Sequence, residues 1–446
     1  MYAFASKLMM LSTFVALAMS AKPASADNNN YFFSAAGREH VVSFQSVYRS
    51  ETLTLNDLKT LTPESKKSLV RYELLPLMDF LFGPLVHREL GSPQRATEVL
   101  VDWENAQLVN GKVELPYSYK GLWIVAEKVS ILGKLSLPVP LNKQIVFSPK
   151  WKSCTDSARD HQTPGFYWYF WDPTRWGCDQ TDGVEYKTVE IQMGAMTAQT
   201  AKTFPEYQRM VINGEQKMTF AFGYVTDPSV FSPDTDFDEG ARQYQTFVAS
   251  FRSSYGNLLA ETPILQKEYQ GAYQPELVIG HRFTGTMNGN KVTVNIVMSA
   301  GIDQMDLFAK SFAHDHDSFF GWFGHSRVGS GFDAERFGQM VRNQPSYFSI
   351  TNNYQVIYWA GCNSYSYYTV PFFEFKGGTK NLDIIANGLP SYFSLNAINA
   401  QITADAFLNW PNRRTSYQTM VKTLETRAKQ FGALVLVVAL GDEDNQ

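Results

Sequence analysis

Phe319-Phe320-Gly321-Trp322-Phe323-Gly324-His325 and Tyr354-Gln355-Val356-Ile357-Tyr358-Trp359-Ala360-Gly361-Cys362 are the two stretches on which the fold turns. Each is an apolar run of strand length that closes on a residue able to do chemistry. Between them stand Gly329-Ser330-Gly331 and a helix-like stretch from Asp333 to Arg342. Two strands joined by a helix read as a βαβ unit with parallel strands and a right-handed crossover. The C-terminal ends of parallel strands open on one edge of the sheet, where ligands and reacting groups of open α/β sheets collect. An imidazole and a thiol brought there can act as base and nucleophile.

The flanking sequence supports that frame. Met218 to Val225 and Leu382 to Ala386 read as further strands. Arg282 to Met287 and Lys291 to Met298 form a hairpin about Asn288-Gly289-Asn290. Gly240 to Tyr255, Asp303 to Phe312, Ala397 to Leu408 and Ser416 to Phe431 read as helices, and Ala433 to Leu440 is a last apolar run. Strands alternating with helices predict an α/β domain over 211–446, with a largely parallel sheet flanked by helices. Residues 27–210 read differently. A helical stretch from Leu55 to Phe82 precedes strands at Thr97–Val101, Lys112–Leu115, Gly121–Val125 and Lys143–Phe147, with a turn at Asn110-Gly111. This predicts a mainly antiparallel β-rich region, a sandwich being one arrangement of it.

The chain has 446 residues, of which 44% are hydrophobic, and a formal net charge of −4 with no basic block. The length suits two domains, and the charge gives no reason to expect nucleic acid or electrostatic docking to a membrane. Residues 1–26 read as a signal peptide: Lys7, a short apolar stretch from Leu8 to Met19, and Ala24-Ser25-Ala26 as a small-x-small cleavage site. The expected mature chain is exported, to the periplasm or outside the cell, with no stable membrane insertion after cleavage. In an oxidising compartment three cysteines leave one over. Cys154 and Cys178 lie in one loop-rich stretch and are the expected disulfide, so Cys362 is the expected free thiol.

The two strand ends, Phe323-Gly324-His325 and Ile357-Tyr358-Trp359-Ala360-Gly361-Cys362-Asn363-Ser364, resemble those of the caspase-fold cysteine peptidases, the group that includes caspases, gingipains, legumains and clostripain-like enzymes. The resemblance covers the C-terminal half only. It implies a caspase-like sheet and hydrolysis of a peptide or protein substrate by a Cys362–His325 dyad. It also implies that the backbone N–H groups of Ser326 and Cys362 bind the oxyanion, with no cofactor and no metal. Two positions depart from the group: Ser326 stands where it usually has Gly, and Gly361 where it usually has Ala. Arg327 and Asp383 are candidates for a specificity pocket by position alone, and a solvated or structural role is the competing reading for each.

Other readings compete for the same residues. His314, His316 and His325 could ligate zinc in a His-rich metal-binding protein. An extended Ser318 to Gly324, rising about 3.3 Å per residue, would hold them at opposite sheet edges. Gly324-His325-Ser326-Arg327-Val328 misses the G-x-S-x-G nucleophile elbow by its last residue. The aromatic block Phe166 to Trp171 reads as a buried strand or as a carbohydrate- or partner-binding face. A non-catalytic cell-envelope or secreted binding protein on the same scaffold is the main alternative to a peptidase.

Overall fold

In the computed structural model, residues 30–155, 171–225, 238–264, 278–299, 304–326 and 334–442 are described. The expected signal segment, Phe166–Phe170 and Arg327 lie outside them. The described chain divides into two compact units, residues 38–197 and residues 30–37 with 198–442. The first strand, β1 (Asn30–Ser34), therefore belongs to the second unit, whereas the sequence reading placed it in the N-terminal region.

The first unit carries β2 (Gly37–Ser50), β3 (Gly91–Val101), β4 (Gln107–Val109), β5 (Lys112–Ala126), β6 (Lys134–Pro140) and β7 (Tyr186–Met196). They form one six-stranded sheet in the order β3-β5-β2-β7-β6, with β4 paired to β5, and not the two facing sheets of a sandwich. The Asn110-Gly111 turn joins β4 to β5, both residues at positive φ. Lys143–Phe147, expected as a strand, is a 3-10 turn. Its physical reason is local: the Asn142 side chain accepts the Gln144 N–H and starts a helical turn. The helical stretch after residue 54 is broken into short pieces. A new one starts at Pro63, since proline suits a first turn; it runs unbroken to Asp79 through a π-helical turn, Val70–Leu74, just ahead of Pro76. Cys154 and Cys178 form the disulfide.

The second unit adds β8 (Glu215–Gly223), β9 (Leu259–Ile264), β10 (Val278–Met287), β11 (Asn290–Ser299), β12 (Phe319–Phe323), β13 (Gln355–Trp359), β14 (Leu382–Asn387) and β15 (Val437–Asp442). With β1 they make a nine-stranded sheet in the order β1-β15-β14-β13-β12-β8-β11-β10-β9. The five central strands, from β14 to β11, are mutually parallel; β15 and β10 pair antiparallel at either side. Every residue of β12, β13 and β14 is buried. Their unbroken apolar runs are what a sheet covered on both faces requires.

Alternation along β12 sorts its side chains. Phe319 and Phe323 join Phe220 and Phe222 beneath the helices Glu239–Tyr255, Asn396–Leu408 and Tyr417–Gln430. Phe320 and Trp322 face the other way, where Phe308 packs on Phe320, Phe337, Phe372 and Trp359. Gly321 is glycine because a Cβ there would come within 2.7 Å of the Phe323 ring. Among the described residues, no helix is long and apolar enough to cross a membrane.

One buried carboxylate is expected to cost stability at neutral pH. Asp317, just before β12, accepts the hydroxyls of Thr219 (2.6 Å) and Ser311 (2.7 Å) on one oxygen. Its other oxygen has no partner among the described residues. Burial pushes this carboxyl up to about 6. A folded-state value above the unfolded one means the stability is present below the unfolded value, near pH 4, and is lost as pH rises through about 6. Asp317→Asn, which removes the charge, is expected to raise unfolding stability at about pH 7.5 by roughly 2 kcal/mol. The gain should vanish near pH 4. Urea melts at the two pH values check it, and an equal effect at both would contradict the assignment.

Candidate active site at the ends of two parallel strands

β12 and β13 pair in parallel with Trp322 opposite Trp359. His325 and Cys362 each stand three residues beyond these partners, so one register delivers both to the same sheet edge. The pairing persists past the strands, since Ala360 N–H donates to Trp322 O at 2.8 Å. Gly361 then lies directly against the turn that carries His325. A Cβ there would be 2.5 Å from Ser326 Oγ and 3.0 Å from Gly324 O.

The imidazole is held from two sides. His325 Nε2 lies 3.2 Å from Val225 O, and the ring meets Phe393 edge-on at 4.9 Å between centroids. A carbonyl only accepts, so Nε2 carries the proton and Nδ1 keeps the lone pair of the neutral ring. Cys362 is half-buried and unbridged, and its Sγ donates to Ser391 O at 3.7 Å. Ser391 and Phe393 lie in one short stretch after β14, Phe393 opening the 3-10 turn Phe393–Leu395, so a single segment touches both residues.

Val225 follows β8, where the strand order reverses. After β8 the chain lays β9, β10 and β11 on one side of it and then β12 on the other. The ends of β8 and β12 thus meet at a topological switch point, the usual ligand position in such sheets.

Local sequence explains the positions. The Trp322 indole lies across the strand end, in space that Cβ atoms on Gly223 (2.7 Å) or Gly324 (2.5 Å) would fill. Its N–H donates to His325 O at 2.9 Å and fixes the turn. Cys362 sits on an abrupt strand-to-helix corner. Asn363 takes a left-handed φ of 50°, which asparagine tolerates better than most residues. Its side chain donates to Gly388 O at 3.0 Å, and Ser364 Oγ donates to Trp359 O at 2.6 Å. Asn387 donates from its side chain to Gly361 O at 3.3 Å. The helix Ser364–Lys376 starts immediately afterwards. The positive end of a helix favours a thiolate over a thiol.

The other sequence candidates separate clearly. Ser326 is buried, and its hydroxyl has no partner among the described residues. It faces Gly361: a Cβ on residue 361 would lie 2.5 Å from Ser326 Oγ. Asp383 is not in the site. It stands near the start of β14, fully buried, accepting the hydroxyls of Tyr417 (2.8 Å) and Tyr354. Its carboxyl is pushed well above the usual range by burial. His314 and His316 precede β12 whereas His325 follows it, so the strand holds them at opposite edges. His314 Nδ1 is 2.6 Å from Asp315. Among the described residues no group of three or more His, Cys, Asp or Glu side chains could hold a metal ion. Of the aromatic block only Trp171 is described. It is buried and donates to Gln180 at 2.8 Å.

Val225, Ser391 and Phe393 were not found from the sequence, because a backbone carbonyl and a loop contact leave no residue-type signature. Asp238 was also missed, although an Asp just ahead of a helical apolar pattern is a readable N-cap.

The Ser326–Gly361 contact yields a test. Gly361→Ala is expected to cost about 1–3 kcal/mol, the usual range for overpacking. Ser326→Gly added to it should recover about 1 kcal/mol relative to the sum of the single variants. Strict additivity in urea melts would contradict the contact. The chain matches no protein-family model, no curated protein and no solved structure, so the chemistry has to be argued from this geometry.

Proposed function

We propose that the second unit is a caspase-like domain and that the protein is an exported cysteine peptidase using Cys362 and His325. The observation that carries this is the shared register: one parallel strand pair delivers an imidazole and the unbridged thiol to the same edge at a topological switch point. Export is supported by the Cys154–Cys178 disulfide, since such bonds persist in oxidising compartments.

The reaction follows from the parts. His325 Nδ1 takes the thiol proton while Val225 O holds the opposite N–H. The sulfur then attacks the peptide carbonyl carbon. Negative charge collects on the carbonyl oxygen, for which the backbone N–H groups of Ser326 and Cys362 are the donors. The imidazolium gives its proton to the leaving amine, and a thioester remains on Cys362. His325 then accepts a proton from water as it attacks the thioester, releasing the acid and restoring the thiol.

A non-catalytic binding scaffold is the second reading, and one contact favours it. The Cys362 thiol donates to the Ser391 carbonyl, and a thiolate at that place would face an oxygen lone pair. Peptidase action therefore requires the sulfur to leave that contact.

A mixed peptide library and a peptidyl acyloxymethyl ketone separate the two. Wild type should cleave peptides and gain one adduct at Cys362 by mass spectrometry. Cys362→Ala and His325→Ala should each lose roughly 10³-fold or more of the rate at unchanged melting temperature. A Cys362→Ala protein that still hydrolyses, or a wild type that neither cleaves nor labels, would sink the proposal.

A further inference from the structure

We infer that Asp238 is the residue that positions the His325 imidazole, acting through the Val225 main chain. Its catalytic meaning rests on the dyad proposed above; its structural meaning does not.

Asp238 is buried at the N-cap of the helix Glu239–Tyr255, and its two oxygens do different work. Oδ1 accepts the N–H of Ala241 at 3.1 Å, which is the ordinary capping bond. Oδ2 accepts the N–H of Val225 at 3.0 Å. Val225 in turn offers its carbonyl to His325 Nε2 at 3.2 Å. One carboxylate thus ties the start of a helix to the residue that holds the imidazole.

The surrounding glycines make this reach possible. A Cβ on Gly240 would come 2.0 Å from Gly223 O, so the helix start can lie against the end of β8 only because residue 240 is glycine. Gly223 in turn leaves room for the Trp322 ring, whose N–H fixes the His325 backbone. The imidazole is therefore set by two tethers. Trp322 holds its main chain, and Asp238, by way of Val225, holds its outer ring nitrogen. Holding Nε2–H to a carbonyl keeps the neutral ring in the tautomer whose Nδ1 can accept a proton.

A carboxylate is needed because two N–H groups must be met at once. An asparagine has a single acceptor oxygen. Capping Ala241 with that oxygen would turn its amide N–H₂ toward the Val225 N–H, donor against donor. Asp238→Asn therefore keeps the helix cap, at which Asn and Asp are equivalent, and breaks the Val225 tether. This makes it a cleaner variant than Asp238→Ala, which removes both bonds.

The experiment uses the mature protein with ¹⁵N-labelled histidine, the His325 signals being assigned by difference from His325→Ala. Wild type should show the Nε2–H tautomer at His325. Asp238→Asn should show mixed tautomers in a protein that still folds cooperatively, with a melting temperature lowered by the one lost hydrogen bond. The His325-dependent part of Cys362 alkylation by iodoacetamide, at about pH 6.5, should slow at least about tenfold. An Asp238→Asn protein that retains both the Nε2–H signature and the wild-type alkylation rate would overturn the proposal. Loss of the signature in that variant, with no His325-dependent alkylation even in wild type, would uphold the positioning and overturn the dyad instead.

Discussion

The rest of the second unit depends on the parallel pairing of β12 with β13, Trp322 opposite Trp359. Side chains along a strand alternate between faces, so a slip by one residue would send Phe320 and Trp322 to the face built for Phe319 and Phe323. Both faces are filled with aromatic rings, and neither could accept the exchange. Phe308 alone lies within 5.8 Å, between centroids, of Phe312, Phe320, Phe337, Phe372 and Trp359. Removing one such ring costs about 3–5 kcal/mol. The register of the core is therefore also the register of the site. What keeps His325 beside the Gly361–Cys362 turn is packing several residues away.

Both edges of the sheet bury polar groups. At the C-terminal edge side chains bind main-chain groups: Asn363 to Gly388 O, Ser364 to Trp359 O and Trp322 to His325 O, with the Asp238 and Glu425 carboxylates on the N–H groups of Val225 and Val437. Toward the opposite edge the chain also buries ionisable groups. Asp317 and Asp383 are pushed up by burial, and the Lys376 ammonium is pushed down to about 7 by the same cause. Lys376 spends its charge on the carbonyls of Thr351 (2.9 Å) and Asn353 (2.7 Å). These groups fasten loops and strand starts, and none of them lies on the side of the sheet where His325 and Cys362 emerge. The shifts of Asp317, Asp383 and Lys376 go with groups that fasten loops and strand starts, so a shifted group alone does not mark a site.

Much of this was legible in the sequence, and the reasons differ element by element. The central strands were readable because a doubly covered strand must be apolar throughout, as Phe319–Phe323 and Gln355–Trp359 nearly are. Helix Glu239–Tyr255 was readable from Phe247 and Phe251 on one face. The disulfide followed from two cysteines in one loop with a third left over. Lys143–Phe147 misled because three of its five residues are apolar, while the choice between strand and turn lay with Asn142 outside the run. β1 was not read as a strand, because strand partners distant in sequence leave no local mark; Asn30 pairs with Asp442. At the site, side chains were legible and their tethers were not. Val225 contributes only a carbonyl, and Ser391 only another. Ser326 and Gly361, read separately in the sequence, are in contact in space: a Cβ on residue 361 would meet the Ser326 hydroxyl.

The central claim is that the imidazole of His325 and the thiol of Cys362 form one coupled unit, and the most direct measurement is the rate of Cys362 alkylation by iodoacetamide across pH, in wild type and in His325→Ala. Coupling puts fast labelling well below the ordinary thiol value of about 8.5, and the variant should lose it. An ordinary thiol profile, the same in both proteins, would contradict the account.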